Sequence, residues 1–438
     1  MTVKSAYNSI HPSQFNPVQK CFFNYPLPNM IKKIKIVNYK SLKNVEITLS
    51  NLVVIFGANA VGKSNLFDAL NLLSRLVTQK NIKEAFAEHR GVPIEAVHYS
   101  KGTMAELQKT HTISFAIDVE LSDAVVHEVE KRIREYSSDI DGEMKTQSKI
   151  TDRLLRYEVD LQIELNYGQI AVVNERLTSL HQEGSKTHRQ PFIEKVENQL
   201  HLRREGQFRP TFHQTGLDYT IVSTALYPPH YPHITAFREE MSHCHCYYFE
   251  PRELMRTGNS IAQVTHLGSK GEDLAAFYHT LAHQNPPQFH ALKLAAKQLL
   301  PRLTDLEVER TNKAELFLRI WEDEASFSNR LISEGTLRVL GLLAALSPTS
   351  GATTLCYEEP ENGVHPRRLR HISELIKNVA NANRQILINT HSPILPTYFN
   401  YQTLLVCRRE AMNTVFTPCE SDVVPELEEQ IIQGEFGG

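Results

Sequence analysis

The octapeptide Gly57-Ala58-Asn59-Ala60-Val61-Gly62-Lys63-Ser64 sets two glycines, a lysine and a hydroxyl at the spacing G-x-x-x-x-G-K-S. Such a loop suits a chain of phosphates. Glycines let the backbone turn so that successive N–H groups point inward at phosphate oxygens, and a helix beginning at the lysine adds its partial positive charge. Lys63 reaches the outer phosphates, and Ser64 offers a hydroxyl to a divalent cation. Far downstream, Tyr357-Glu358-Glu359-Pro360-Glu361-Asn362 places adjacent carboxylates after an apolar run. Glu358 is expected to face the metal, and Glu359 the attacking water. Asn389-Thr390-His391-Ser392-Pro393 brings His391 to the end of another apolar run, where a neutral imidazole can contact a terminal phosphate or orient water. Ser333-Glu334-Gly335-Thr336 opens a helix, with Ser333 as its N-cap and bare N–H groups behind it.

The elements that must position these groups are legible around them. LVVIF (52–56) is a continuous apolar run like a central strand and feeds the glycine loop directly. The helix after Gly62 places Leu66, Leu70, Leu73 and Val77 on one face, so it should lie against a sheet. IKKIKIV (31–37) and VEITL (45–49) alternate apolar with polar, the period of half-buried strands. TLCY (354–357) and QILIN (385–389) read as buried strands, PRRLRHISELIKNVA (366–380) as a helix with Pro366 in its first turn, and VLGLLAALS (339–347) as the continuation of the helix opened near Ser333. Strand and helix alternate at both ends of the chain, which implies an α/β layered core.

Between about 115 and 250 the pattern changes to short strands (YEVDLQIEL, QIAVV), a charged piece VHEVEKRIREY and His-rich loops. The expected organisation is therefore an extended Pro-containing arm over 1–29, a first core lobe over 30–115, an inserted α+β subdomain over 116–250 and a second core lobe over 251–438. VHEVEKRIREY is too short for a heptad seam and reads as a solvated helix.

Composition narrows the class. With 438 residues, 41% hydrophobic and 22% charged, the chain can bury a sizeable core, which excludes disordered, collagen-like and small disulfide-framed proteins. Lys+Arg 47 against Asp+Glu 50 leaves a net charge of -3, so no overall basic field holds nucleic acid unaided. No run approaches the ~20 apolar residues of a membrane helix, and the N-terminus lacks a secretory core, so a cytoplasmic protein without membrane association is expected. Six cysteines without framework spacing are read as free thiols.

In chain order, GANAVGKS, SEGT, YEEPENGVHP and THSP resemble the Walker A, signature, Walker B with D-loop, and switch-histidine motifs of the ATP-binding-cassette (ABC) type of ATPase head, in particular the group that includes RecF, the SMC-type chromosome ATPases and the OLD-family ATPases. The resemblance covers about 30–110 and 250–410. It implies a P-loop NTPase fold that uses ATP and Mg²⁺. ATP would be held by Gly57, Asn59, Gly62, Lys63 and Ser64, the metal by Ser64 and Glu358, and the chemistry would fall to Glu359 and His391. In that family Ser333 and Gly335 would close over ATP held by a second copy, which implies a homodimer or higher homo-oligomer with nucleotide sandwiched between heads. Two departures stand out: Glu358 occupies a position usually held by Asp, and SEGT replaces Ser-Gly-Gly.

Only 47 residues follow His391, too few for the TOPRIM nuclease domain of OLD proteins, and the chain has neither a long heptad arm nor a CxxC zinc hook. The resemblance thus implies a freestanding head that controls a separate effector, a nuclease or a toxin, in anti-phage defence or DNA surveillance. Two other readings stay open. One is a RecF-like repair or loading ATPase that clamps DNA; the other is an ATP-binding scaffold that sequesters a toxin partner.

Two clusters lie apart from these motifs. His230, His233, His243, Cys244, His245 and Cys246 invite a metal reading, but on a strand Cys244 and Cys246 share one face and His243 and His245 the other, so a polar strand leading into YYFEP is expected. Arg203, Arg204 and Arg209, near Phe208, form a basic stretch that is expected to be a solvated face rather than a contact for nucleic acid.

Overall fold

A computed structural model describes residues 31–98, 110–138, 149–181, 183–207, 209–381 and 384–420; the arm expected over 1–29, and Phe208, lie outside them. The described residues fall into two compact units, one drawn from 31–248, 352–373 and 384–420, the other from 249–351 and 374–381.

The first unit opens with an antiparallel pair, β1 (Ile31–Tyr39) and β2 (Leu42–Thr48), followed by β3 (Leu52–Phe56) and helix α1 (Lys63–Thr78). The sequence periods account for their burial. Alternation sinks Ile34 and Ile36 of β1, the unbroken run of β3 is buried from Val53 to Phe56, and α1 buries Leu66, Leu70, Leu73 and Val77. Next come β4 (Thr110–Glu120), α2 (Asp123–Ser138), β5 (Leu154–Glu164) and β6 (Gln169–Ser179). Three short strands β7 (Ile193–Val196), β8 (Gln199–Leu202) and β9 (Thr211–Gln214), helix α3 (Pro232–Ser242) and β10 (Cys244–Tyr247) complete this stretch.

Eight of these strands form one antiparallel sheet in the order β2-β1-β4-β5-β6-β7-β8-β9. The boundary expected at 115/116 therefore falls inside β4, and the strands expected to lie in an insertion extend the sheet that β1 and β2 begin. Alternation identifies a strand but not the sheet it joins. Helix α2 is more than a solvated helix: Val125, Val126, Val129 and Ile133 are buried, α2 packs on α3, and Arg132 of α2 meets Glu239 of α3 at 2.6 Å.

The other unit contains β11 (Asn259–Ser260), α4 (Leu274–Gln284), α5 (Pro286–Leu299), the antiparallel strands β12 (Leu303–Arg310), β13 (Glu315–Glu322) and β14 (Ala325–Ser328), and helix α6 (Glu334–Leu346). Helix α6 is apolar almost all round and correspondingly buried from Thr336 to Leu346 except at Arg338. The Tyr278 hydroxyl donates to the Leu340 carbonyl at 2.9 Å, which satisfies a buried polar group of α4.

The chain then supplies β15 (Thr354–Glu358), α7 (Leu369–Asn381), preceded by a short helical turn at Pro366–Arg368, and β16 (Gln385–Thr390), β17 (Leu404–Glu410) and β18 (Asn413–Pro418). A six-stranded sheet of the first unit has the order β10-β15-β16-β3-β17-β18, parallel except for the terminal hairpin. One apolar cluster runs from Ile36 and Phe115 of the eight-stranded sheet through Leu66 and Leu70 of α1 and Phe237 of α3 to Ile55 and Leu387 of the six-stranded sheet. The α/β layering expected from the sequence is thus present. Among the described residues no helix is long and apolar enough to cross a membrane.

One carboxyl inside this core makes its stability depend on pH. Glu175 of β6 is fully buried and accepts hydrogen bonds from the amides of Ile221 (2.6 Å) and Val222 (3.1 Å) and from the Tyr157 hydroxyl (3.0 Å). Burial nevertheless pushes its pKa from 4.5 up to about 7. A folded value above the unfolded one means that folding takes up a proton: the contribution is full below about 4.5 and is lost as pH rises through about 7. Glu175→Gln should therefore flatten the rise in stability on acidification across this window, by up to one proton's worth, about 1.4 kcal/mol per pH unit. Urea unfolding of wild type and variant at several pH values reads the two slopes, and equal slopes would refute the assignment.

Candidate functional site

Parallel register gathers the motif residues of the first unit. Thr390 of β16 pairs with Phe56 of β3, and Glu358 of β15 pairs with Asn389 of β16, so three strands end at one edge of the sheet. The glycine loop leaves β3 at that edge, Glu358 and Glu359 leave β15, and His391 leaves β16. In open parallel sheets this carboxyl edge is where ligands bind.

The loop between β3 and α1 has a backbone that only small residues permit. Gly62 precedes α1 with φ 101°, and a Cβ there would overlap the hydroxyls of Thr414 and Ser41. A Cβ on Gly57 would overlap the Cys407 carbonyl oxygen. The start of α1 has no side-chain cap, which leaves its first-turn amides to other acceptors. Asn59 is exposed in the turn of the loop. Lys63 is 7% exposed and its ammonium folds over the loop, donating to the carbonyls of Gly57 (2.8 Å) and Ala58 (2.7 Å). Burial draws its pKa down, against the opposing fields of Cys407, Glu359, Glu361 and Glu358. The downstream carboxylates thus fold back within electrostatic range of this lysine.

Glu358 is 5% exposed. Its Oε2 accepts from the Ser64 hydroxyl at 2.8 Å, which brings the two expected metal ligands together. Its Oε1 lies 2.6 Å from Nη2 of Arg90. Arg90 also lies 3.3 Å from Asp68, which is one helical turn beyond Ser64, and stacks over the Tyr248 ring at 4.3 Å. Burial raises the Glu358 pKa, and Arg90 and Ser64 oppose that rise. The donor set of a serine hydroxyl and a carboxylate, both hard oxygens beside the phosphate loop, suits Mg²⁺.

Glu359 leaves the strand in a left-handed conformation, φ 51°, with its amide donating to the backbone oxygen (3.0 Å) and side-chain oxygen (3.2 Å) of Asn389. That turn ends the strict alternation of the strand. Its Oε1 lies 3.3 Å from His391 Nδ1, and its Oε2 accepts from Asn362. Glu361 builds the floor beneath His391: Oε1 accepts from the Thr390 hydroxyl (2.5 Å) and from the amides of His391 and Ser392 (3.2 Å each). Burial raises the Glu361 pKa, and the Thr390 hydroxyl opposes the shift. Glu361 Oε2 and Asn389 Nδ2 are buried without a hydrogen-bonding partner in the protein, so polar capacity remains beside Glu359 and His391.

Ser333 and Gly335 belong to the other unit. Ser333 is exposed and caps α6 as its sequence predicts, accepting from the Thr336 amide at 3.1 Å. Four residues of the first unit's site went unassigned in the sequence. Glu361 and Asn389 lie within the quoted motifs, and Asp68 was signalled by its i+4 spacing from Ser64. Arg90 carried no local signal, because only the chain's return after α1 delivers it to Glu358.

The two other sequence clusters resolve separately. His233 is fully buried, stacked on Phe192, with Nδ1 2.7 Å from Glu205 and Nε2 accepting from the Asp152 amide. Arg203 pairs with Glu194, Arg204 contacts His230, and Arg209 is exposed.

Family comparisons agree with this geometry. Residues 30–217 match the family described as "AAA ATPase domain", and residues 230–395 match "AAA domain, putative AbiEii toxin, Type IV TA system". No curated protein matches the sequence. Among solved structures, an SMC head bound to the C-winged helix domain of ScpA aligns at 11% identity over 90% of this chain and 98% of its own, with TM-score 0.48. The SMC head domain of Thermotoga maritima aligns at 12% identity over 89% and 99%, with TM-score 0.41. The Smc head of Pyrococcus furiosus with an extended coiled coil aligns at 12% over 92% and 100%, with TM-score 0.45. Two ATPase-domain models thus match successive parts of the chain, and the glycine loop and the downstream carboxylates stand at one edge of the sheet, so these parts are similar to ATPase domains.

Proposed function

We propose that this head binds ATP with Mg²⁺ at the loop around Lys63, hydrolyses it through Glu359 and His391, and works as a homodimeric switch on a separate effector protein. The observation that carries the reading is the 2.8 Å hydrogen bond from the Ser64 hydroxyl to Glu358, which brings a carboxylate 294 residues downstream onto the residue next to Lys63.

The roles follow from what each side chain can do. Lys63 exchanges its two loop carbonyls for phosphate oxygens, a gain because its cation then pairs with an anion instead of a neutral acceptor. Ser64 and Glu358 would hold the Mg²⁺, which supplies neutralising charge to the phosphates when bound. Glu359 accepts a proton from water as the water oxygen bonds to the terminal phosphorus and the bond to the ADP oxygen breaks. His391 lies 3.3 Å from that carboxylate and can orient the same water or contact the phosphate. Exposed Ser333, with Gly335, would meet the nucleotide of a second copy. A toxin or nuclease as effector, in phage defence or DNA surveillance, follows from the family resemblance.

Lys63→Ala should abolish ATP binding in isothermal titration, weakening it at least about a hundredfold. Glu359→Gln should bind ATP like wild type but turn it over ~10²–10⁴-fold more slowly, and should accumulate as a dimer in light scattering with ATP. Turnover by Glu359→Gln equal to wild type removes Glu359 as the base, and a monomer under all conditions removes the switch.

Glu361→Ala tests the floor under His391 separately. It frees the His391 and Ser392 amides and the Thr390 hydroxyl, so kcat should fall by about a hundredfold while KM for ATP changes little. A rise in KM with kcat intact would place Glu361 in substrate binding instead.

A further inference from the structure

Cys244 and Cys246 of β10 and Cys356 of β15 bring three sulfur atoms within 4.8 Å of one another. Register is the cause. Strand β10 runs parallel to β15 with Cys246 opposite Cys356, and the two-residue strand period puts Cys244 on the same face. The polar strand expected at Cys244–Cys246 thus carries two sulfurs on one face, and the third comes from more than a hundred residues away.

The arrangement suits an ion better than it suits core packing alone. Three sulfurs around one ion at ~2.3 Å stand about 4 Å apart, a spacing these side chains reach with small rotations. None of the three is in a disulfide. Cys244 and Cys356 are buried and Cys246 is half-buried. Three thiolates this close would repel one another, whereas a cation among them reverses the balance. Soft sulfur selects Cu(I) or zinc, and a structural zinc takes four ligands. Among the described residues the group comprises three.

We propose that Cys244, Cys246 and Cys356 form a three-thiolate site for a soft, thiophilic cation, with Cu(I) the matching ion. A bound ion would clip the edge strand β10 to β15, the strand that ends in Glu358. The proposal stands independently of the ATPase roles.

The test uses the full chain, reduced and stripped of metal, titrated anaerobically with Cu(I) against a competing chromogenic chelator. Expected are one Cu(I) per chain, protection of these three thiols from alkylation as read by mass spectrometry, and a raised unfolding midpoint in the loaded protein. Cys246→Ser and Cys356→Ser should each lose the one-to-one stoichiometry and the midpoint shift. Cys246 is half-buried, so its variant decides the matter even if Cys356→Ser fails to fold. Lys63→Ala should load Cu(I) like wild type, so failure of the nucleotide site and failure of the thiol site are read separately. Undiminished Cu(I) binding by Cys246→Ser, or full-rate alkylation of all three thiols in Cu(I)-treated wild type, overturns the proposal.

Discussion

Everything at the site depends on the parallel register of β15, β16 and β3. Because Glu358 pairs with Asn389 and Thr390 with Phe56, the strands end level with one another, and the residues that follow them meet at one edge. A slip by a single residue would send each side chain to the opposite face. The register is pinned at the far end by Gln385, which is 1% exposed. Its amide donates to the carbonyls of Ile31 (2.8 Å) and Ser50 (3.0 Å), while its oxygen accepts from the Ile31 amide (3.0 Å) and the Thr354 hydroxyl (3.2 Å). One buried side chain thus links the start of β16 to β1, β15 and the turn before β3. Its polar atoms are expensive to leave unpaired, which is why such a connection specifies a unique arrangement.

The same edge gathers like charges that could not coexist without compensation. Glu358, Glu359 and Glu361 all act on Lys63, and Arg90 sits between Glu358 and Asp68. Lys40 supplies a further cation to Asp68 at 2.7 Å. Glu358 in the place of the usual aspartate reaches one methylene further, and the structure accommodates that length with simultaneous contacts to Ser64 and Arg90. A divalent cation on the same carboxylate would repel Arg90 at close range, a repulsion that the carboxylate charge between them offsets.

How much of this was legible in the sequence depended on how local the signal was. The phosphate loop, the two carboxylates and the histidine each sit where a strand stops, and strand ends are readable from apolar runs and glycine. Strands β1, β3, β15 and β16 lie within two residues of their expected bounds. What could not be read was partnership between distant segments. Nothing in YEVDLQIEL says that β5 pairs with β4 and so continues the sheet of β1, and nothing near Arg90 points to Glu358. For the same reason Cys356 was invisible from Cys244 and Cys246 until the register of β10 on β15 was known.

The conformation of the phosphate loop is not a property of its eight residues alone. Thr414 of β18 donates its hydroxyl to the Val61 carbonyl (2.7 Å) and shares a hydrogen bond with Ser41 (2.6 Å) in the turn between β1 and β2. Asn65 of α1 donates to that same Ser41 hydroxyl at 2.7 Å, and Arg409 of β17 donates to the Ala60 carbonyl at 3.0 Å. The loop is therefore held between a turn of the eight-stranded sheet and the terminal hairpin of the six-stranded one. Ala60 keeps a positive φ of 61° within this frame, a conformation that costs a non-glycine residue free energy and that the surrounding bonds offset. A displacement of the β1–β2 turn would be felt at Ser41, then at Thr414 and Asn65, and so at the backbone of the glycine loop. The two sheets are thus joined through hydroxyl groups at the glycine loop.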